Sequence, residues 1–205
     1  MYLRGLSVTI ELSLGAVMLG IFIGLIIAFM SMSKVRILNS ISKLYVDIIR
    51  GTPAVTQLLI VNFVIFASLR NVGLWVGIVA LGINSGAYVS EIIRAGILSI
   101  DHGQTEAGRS LGLTSRQTMT HIVIPQAIKN IIPTLANEFI VLIKETAIVG
   151  YIGVEDLTKV GQVVISRTMS VVPLFATAVI YFLLIKILTI FLRKLEKKLR
   201  ASDNR

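Results

Sequence analysis

The sequence predicts an all-α membrane protein, a single transmembrane domain over residues 1–205 built as a bundle of about five transmembrane helices. Three observations carry that expectation. The hydrophobic content is 55% and the mean hydropathy +0.84, more apolar side chain than the interior of a soluble domain absorbs. Only 15% of the residues are charged, yet the net charge is +9, so the basic excess gathers in connecting segments. Apolar stretches near the length of a membrane-crossing helix recur at 8–31, 54–69, 73–93, 128–149 and 171–192.

Each stretch has its own signals. The first has too long an apolar run for a secretory signal and reads as a permanent helix. The second is short, but Thr52 and Pro53 supply a helix start. The third and fourth are apolar runs interrupted by polar side chains. Pro125 and Pro133 are expected to break or bend the beginning of the fourth, whereas Pro173 suits the first turn of the fifth. Lys186, inside the fifth, is expected to snorkel toward headgroups. None of the runs alternates strictly, which argues against a β-barrel.

Lys and Arg predict the orientation. Lys34, Arg36, Lys43 and Arg50 follow the first stretch, Arg94, Arg109 and Arg116 follow the third, and Arg193, Lys194, Lys197, Lys198, Arg200 and Arg205 form the tail at 193–205. The opposite side holds Arg4, Arg70, Lys159 and Arg167. The positive-inside rule then puts the amino terminus outside and the carboxyl terminus in the cytoplasm, as an odd number of crossings requires. The tail suits an anionic inner leaflet, and the charge needs no nucleic acid to explain it.

Several chemistries are excluded. With no cysteine there is no disulfide, thiolate metal site or cysteine nucleophile, and His102 and His121 are too few for a histidine metal cluster. No paired nucleophile and base is visible. No Gly-Lys pair occurs, so no phosphate-cradling loop is present and any ATP hydrolysis has to come from another subunit.

Polar groups inside the apolar stretches are the candidates for a path. A charged side chain at a helix centre costs about 2.5 to 3.5 kcal/mol on insertion scales. Asn84, Ser85, Ser90 and Glu91 sit in the third stretch, with Asn84 and Glu91 seven apart on one face. Asn130, Asn137 and Lys144 repeat at seven in the fourth, beside Glu138 and Glu145. Such groups either bond helix to helix or line a cavity that binds an ammonium and a carboxylate. Glu91 and Glu138 lead for the path, then Lys144 and Glu145, with Asn84, Ser85 and Asn137 beside them. On residues alone, a passive or ion-coupled carrier using Glu91 and Glu138 is the alternative, although no inverted repeat supports it.

The polar connection 101–125 contains helix-forming pieces at 105–111 and 115–122, broken at Gly112, with Thr114 or Ser115 as a cap for the second. By composition it is a solvated loop. Its pattern is more specific: Glu106-Ala107-Gly108, three residues, Gly112, nine residues, Ile122, one residue, Ile124-Pro125. This resembles the EAA loop of importer permeases of the ATP-binding cassette superfamily, with Gly108 for the usual second Ala and Ile124 for Leu. Arg50-Gly51-Thr52-Pro53 with Gln57 and Leu58, and Asn84-Ser85-Gly86-Ala87-Tyr88 with Glu91 and Arg94, are similar to segments of the polar amino acid branch, the histidine, glutamine, glutamate and arginine permeases. Pro133, Asn137-Glu138 and Lys144-Glu145-Thr146 extend the likeness, with Glu145 for Asp and Ala147 for Ser.

The resemblance implies a type I ABC importer permease, a transport subunit and not an enzyme. It implies that the EAA segment is a coupling helix seated in a groove of a separate ATPase, with Glu106 a contact residue. It further implies no cofactor in this chain, ATP and Mg being held by two ATPase copies. The other implied partners are a second permease copy, as a homodimer or with a related permease, and an extracytoplasmic amino acid binding protein. The implied location is the bacterial cytoplasmic membrane.

Overall fold

The computed structural model describes residues 1–201, with side chains through Lys197; Lys198, Arg200 and Arg205 of the basic tail lie outside the described side chains. The described residues are almost wholly helical. α1 (Tyr2–Ser31), α4 (Gly73–Leu98) and α9 (Val172–Ala201) are the long apolar elements, and by length and composition each is able to cross a membrane. α7 (Ile124–Glu145) has 22 residues, but Lys129, Glu138, Lys144 and Glu145 make it too polar to read as a lipid-facing span by itself.

The second expected span, 54–69, needs correction. α3 (Ala54–Ile60) continues through one π-turn (Val61–Ile65) and stops, too short to cross alone. The segment read as a cytoplasmic connection is instead α2 (Arg36–Arg50), which meets α3 at a bend of 104°. Together they have the length and apolar content of one broken span or of a re-entrant loop. α2 escaped detection because Asn39, Ser40, Ser42, Lys43 and Asp47 keep its composition polar, although its apolar residues share one face. The break is held by side chains: Gln57 donates to the carbonyl of Ile49 at 2.8 Å and to Thr52 Oγ1 at 2.8 Å, occupying groups that the end of α2 leaves open.

α1 and α4 form the central pair. The buried face of α1 is Gly5, Thr9, Leu12, Ser13, Ala16, Gly20, Gly24 and Ala28, mostly small residues about four apart that bring the two backbones close. A methyl group on Gly24 would lie 2.5 Å from Val89 Cγ1 and 2.7 Å from Val89 Cβ, so only glycine fits there.

Two apolar cores flank a polar belt on α4. One core contains Leu12, Leu58, Val76, Leu81, Leu142 and Val149, and the other Ala28, Val89, Ile93, Ala127 and Ile131. Between them Asn84 donates to Gln57 Oε1 at 2.9 Å, and the Tyr45 hydroxyl donates to the carbonyl of Ile83 at 2.6 Å. Polar side chains at that level satisfy one another, as burial requires.

α8 (Leu157–Thr168) was not legible in the sequence. Its buried N-cap, Asp156, accepts from the backbone amides of Lys159 at 2.8 Å and Thr158 at 3.1 Å. Tyr181 of α9 also donates to Asp156 Oδ2 at 3.2 Å, while Thr9 Oγ1 of α1 accepts from the Leu157 amide at 3.1 Å. One buried carboxyl group thus ties α8 to α9, with α1 joined alongside.

α7 begins earlier than the expected span 128–149 and ends earlier, passing at Thr146 into a 3₁₀ segment (Thr146–Ile152). The two prolines do not break it. Before Pro125 the helix widens into a π-turn (Met119–Val123), with the amide of Ile124 bonding Met119 five residues back. Pro133 is carried inside the helix. α6 (Ser115–Thr118), the π-turn and α7 therefore form one unbroken helical run.

Candidate functional site

The described surface carries two features that bear on function, a charged cavity beside α4 and a polar loop beyond its end. The cavity has a volume of about 630 Å³, a size suited to a small ligand. Arg50 from the end of α2, Tyr88 and Glu91 from α4, and Asn130, Thr134 and Glu138 from α7 line it. The helical repeat explains the convergence: positions 88, 91 and 95 lie on the α4 face opposite its glycine-packed contact with α1, and 130, 134 and 138 follow one side of α7.

Glu91 is gripped by Arg94, whose Nε donates to Oε1 at 2.9 Å and whose Nη2 donates to Oε2 at 3.0 Å. Such a two-pronged pair engages both carboxylate oxygens and fixes their orientation. Arg50 stands further off, with Nη1 3.8 Å from Glu91 Oε2 and its guanidinium 5.3 Å from the centre of the Tyr88 ring. On the other wall Glu138 accepts from Ser85 Oγ at 3.3 Å. The cavity therefore presents cationic guanidinium on one side and a carboxyl group on the other.

The structure divides the sequence candidates. Glu91 and Glu138 line the cavity together. Ser85 lies behind Glu138 and Asn84 is bonded to Gln57, both buried in the bundle. Asn137 and Lys144 are exposed on α7 away from the cavity lining, and Glu145 is half-buried at the end of α7. Arg50 and Tyr88 were missed as site residues. Both stand in the runs that carry the family resemblance, but they are 38 positions apart and meet because α2 packs against α4.

The polar loop is built as a helical hairpin. α5 (His102–Ser110) is capped by Asp101, whose side chain accepts from the Gly103 amide at 2.6 Å. It ends in a turn where the Leu113 amide bonds the Gly108 carbonyl at 3.1 Å and the Gly112 amide bonds that of Arg109 at 3.0 Å. This turn needs the left-handed backbone of Gly112, φ +83°. Thr114 then caps α6 in a reciprocal box with Gln117. The pieces expected at 105–111 and 115–122 are thus present, with Thr114 rather than Ser115 as the cap.

The motif positions acquire physical roles in this hairpin. Gly108 is buried where a methyl would lie 2.8 Å from Ile122 Cδ1 and 2.9 Å from Thr118 Cγ2, so glycine in place of the usual alanine lets the two arms close more tightly. Ile122 packs on it, and Pro125 starts α7. Glu106 and Ala107 face outward and Leu111 is 83% exposed, leaving the outer surface of α5 open to a partner.

Comparison with known proteins gives a consistent result. The arginine transport system permease protein ArtQ of Bacillus subtilis is 38% identical, covering 98% of this chain and 93% of that protein. The glutamine transport system permease protein GlnP of Escherichia coli K12 is 34% identical, covering 97% and 92%. The crystal structure of an amino acid ABC transporter with histidines superposes with a TM-score of 0.91 at 43% identity, covering 96% of this chain and 93% of that one. The fold is accordingly that of a type I ABC importer permease. The family model for the binding-protein-dependent transport system inner membrane component matches residues 20–201. With the hairpin, the helical bundle and that match together, the chain belongs to the family of inner-membrane components of binding-protein-dependent transport systems, multi-pass permease subunits that work with a separate ATPase and a binding protein.

Proposed function

We propose that this chain is the permease subunit of an ATP-driven importer of polar or basic L-amino acids, such as arginine, histidine, lysine or glutamine. The observation that carries the reading is the unbroken helical run from Ser115 to Glu145. Its first turns form one arm of the EAA hairpin, and about five turns further on it brings Glu138 to the cavity. A displacement applied to the hairpin by an ATPase is thereby applied to a wall of the cavity. The names of the relatives, arginine and glutamine permeases, support an amino acid as cargo.

In this reading the crossings are α1, the broken α2–α3 pair, α4, α7 and α9, with the amino terminus outside and the carboxyl terminus cytoplasmic. Two permease copies, a homodimer or a pair with a related permease, enclose the path, and each seats its hairpin in one of two ATPase copies. ATP and Mg reside on those partners. Closure of the ATPases draws the hairpins together and opens the cavity outward; hydrolysis reverses the movement. A passive or ion-coupled carrier is disfavoured because it gives the hairpin no role, and because Glu91 is already paired with Arg94.

The test is uptake of labelled arginine, histidine, lysine and glutamine into vesicles containing this chain, its ATPase and its loaded binding protein. ATP-dependent accumulation is expected for at least one of them. Uptake that ignores ATP but collapses with a protonophore overturns the proposal.

A further inference from the structure

α2 packs against the bundle the opposite way round from a helix in water. Its inward contacts are polar: Ser42 is fully buried, Asn39 donates to the carbonyl of Ser31 on α1, and the Tyr45 hydroxyl donates to the carbonyl of Ile83 on α4. Its outward face is apolar. Ile37, Ile41, Leu44 and Ile48 recur at spacings of four, three and four, which makes one stripe of the helix, and each is 50% to 70% exposed. A helix facing water turns such side chains inward, so this stripe calls for a cover, either lipid or another chain.

Charge decides between those covers. Lys34, in the turn after α1, and Arg36, the first residue of α2, are both exposed and stand directly before the stripe. Among the described residues neither pairs with a carboxylate, and the flanking acids along the chain are as distant as Glu11 and Asp47. α1 is long and apolar enough to cross a membrane, so the turn at its end lies where a crossing helix leaves the hydrocarbon. Unpaired cations beside an exposed apolar stripe match the two halves of an anionic phospholipid, its phosphate and its acyl chains. A second copy meeting this face about a two-fold axis would set its own Lys34 and Arg36 against these, a like-charge contact.

We propose that the α1–α2 turn and the outward face of α2 form a docking surface for an anionic phospholipid, with Lys34 and Arg36 on its phosphate and Ile37, Ile41, Leu44 and Ile48 along its acyl chains. The leaflet is the cytoplasmic one in the orientation of the importer reading, and that assignment rests on it. Lipid held here anchors the beginning of a helix whose end, Arg50, forms one wall of the 630 Å³ cavity.

The test exploits the absence of cysteine from the chain. Leu44→Cys gives the subunit one thiol on the stripe, which is labelled with benzophenone maleimide before assembly with the ATPase. The assembly is placed in nanodiscs of phosphatidylglycerol and phosphatidylcholine in equal amounts with identical acyl chains, illuminated, and its adducts identified by mass spectrometry. Lipid adducts are expected, with phosphatidylglycerol ahead by about fivefold or more. That preference should fall to within about twofold when Lys34→Gln and Arg36→Gln are combined, and decline as salt is raised. Ile37→Cys, on the same stripe, replaces Leu44→Cys if the latter does not assemble, and the salt series decides if the double variant does not. Adducts chiefly to a second permease copy or another protein overturn the proposal. So does an even ratio of the two lipids, or a preference that the double variant leaves unchanged. The adduct ratio is independent of transport, so loss of ATP-driven uptake in vesicles counts against the importer reading alone.

Discussion

The two sides of α4 are built on opposite principles. Toward α1 the helix presents glycine and other small residues, and Gly20 and Gly24 let the partner backbone come so near that a single methyl collides. Away from α1 the same helix presents Tyr88 and Glu91 to an open cavity where an arginine has donors to spare. The closed side fixes α4 in place. The open side leaves charge uncommitted, which a binding surface needs and a structural contact does not.

The difference lends itself to tests that separate stability from transport. The largest effect is expected from Gly24→Val, which forces atoms against Val89 and costs about 3 kcal/mol by overpacking. Thermal unfolding of the purified subunit measures it, and an unshifted transition would mean the seam tolerates a wider spacing. Next is Asp156→Ala, on the closed side where α8 joins α9. Loss of the cap together with the Tyr181 contact should lower stability by about 2 kcal/mol, read as a lower unfolding midpoint.

On the open side the order of readouts inverts. Glu138→Gln should leave the unfolding midpoint in place while reducing uptake of a cationic amino acid about tenfold, since it removes a charge facing the cargo. Normal arginine uptake by this variant would remove Glu138 from the path. Ser85→Ala is the finest probe, because Ser85 packs against Gly20 with its Cβ and bonds Glu138 with its Oγ. Alanine keeps the packing and drops the bond. A change of about threefold in uptake with no loss of stability is expected, the scale of one weak hydrogen bond. A stability loss in its place would assign Ser85 to the seam alone.

Much of the molecule is legible before folding is considered. The long apolar helices follow from composition, the helical hairpin from Gly112 and the residues around it, and Glu91 and Glu138 as candidates from the expense of charge in an apolar helix. α2 and α8 were not legible, because short helices with polar faces look like loops when only hydropathy is read. Asn137 and Lys144 share a sequence stripe with Asn130, yet only Asn130 meets the cavity. A seven-residue repeat fixes a common face of a helix and says nothing of where along that face the neighbouring helix stands away.

The sequence by itself determined that this is a helical membrane bundle with a Gly-hinged polar hairpin, since hydropathy and backbone preference act locally and need no partner. Only the tertiary structure decided that α2 and α3 meet at a sharp bend, that Arg50 lands on Tyr88, and that Arg94 claims Glu91. Those outcomes depend on which side chains from distant segments reach one another across a packed bundle, and distance along the chain carries no record of it.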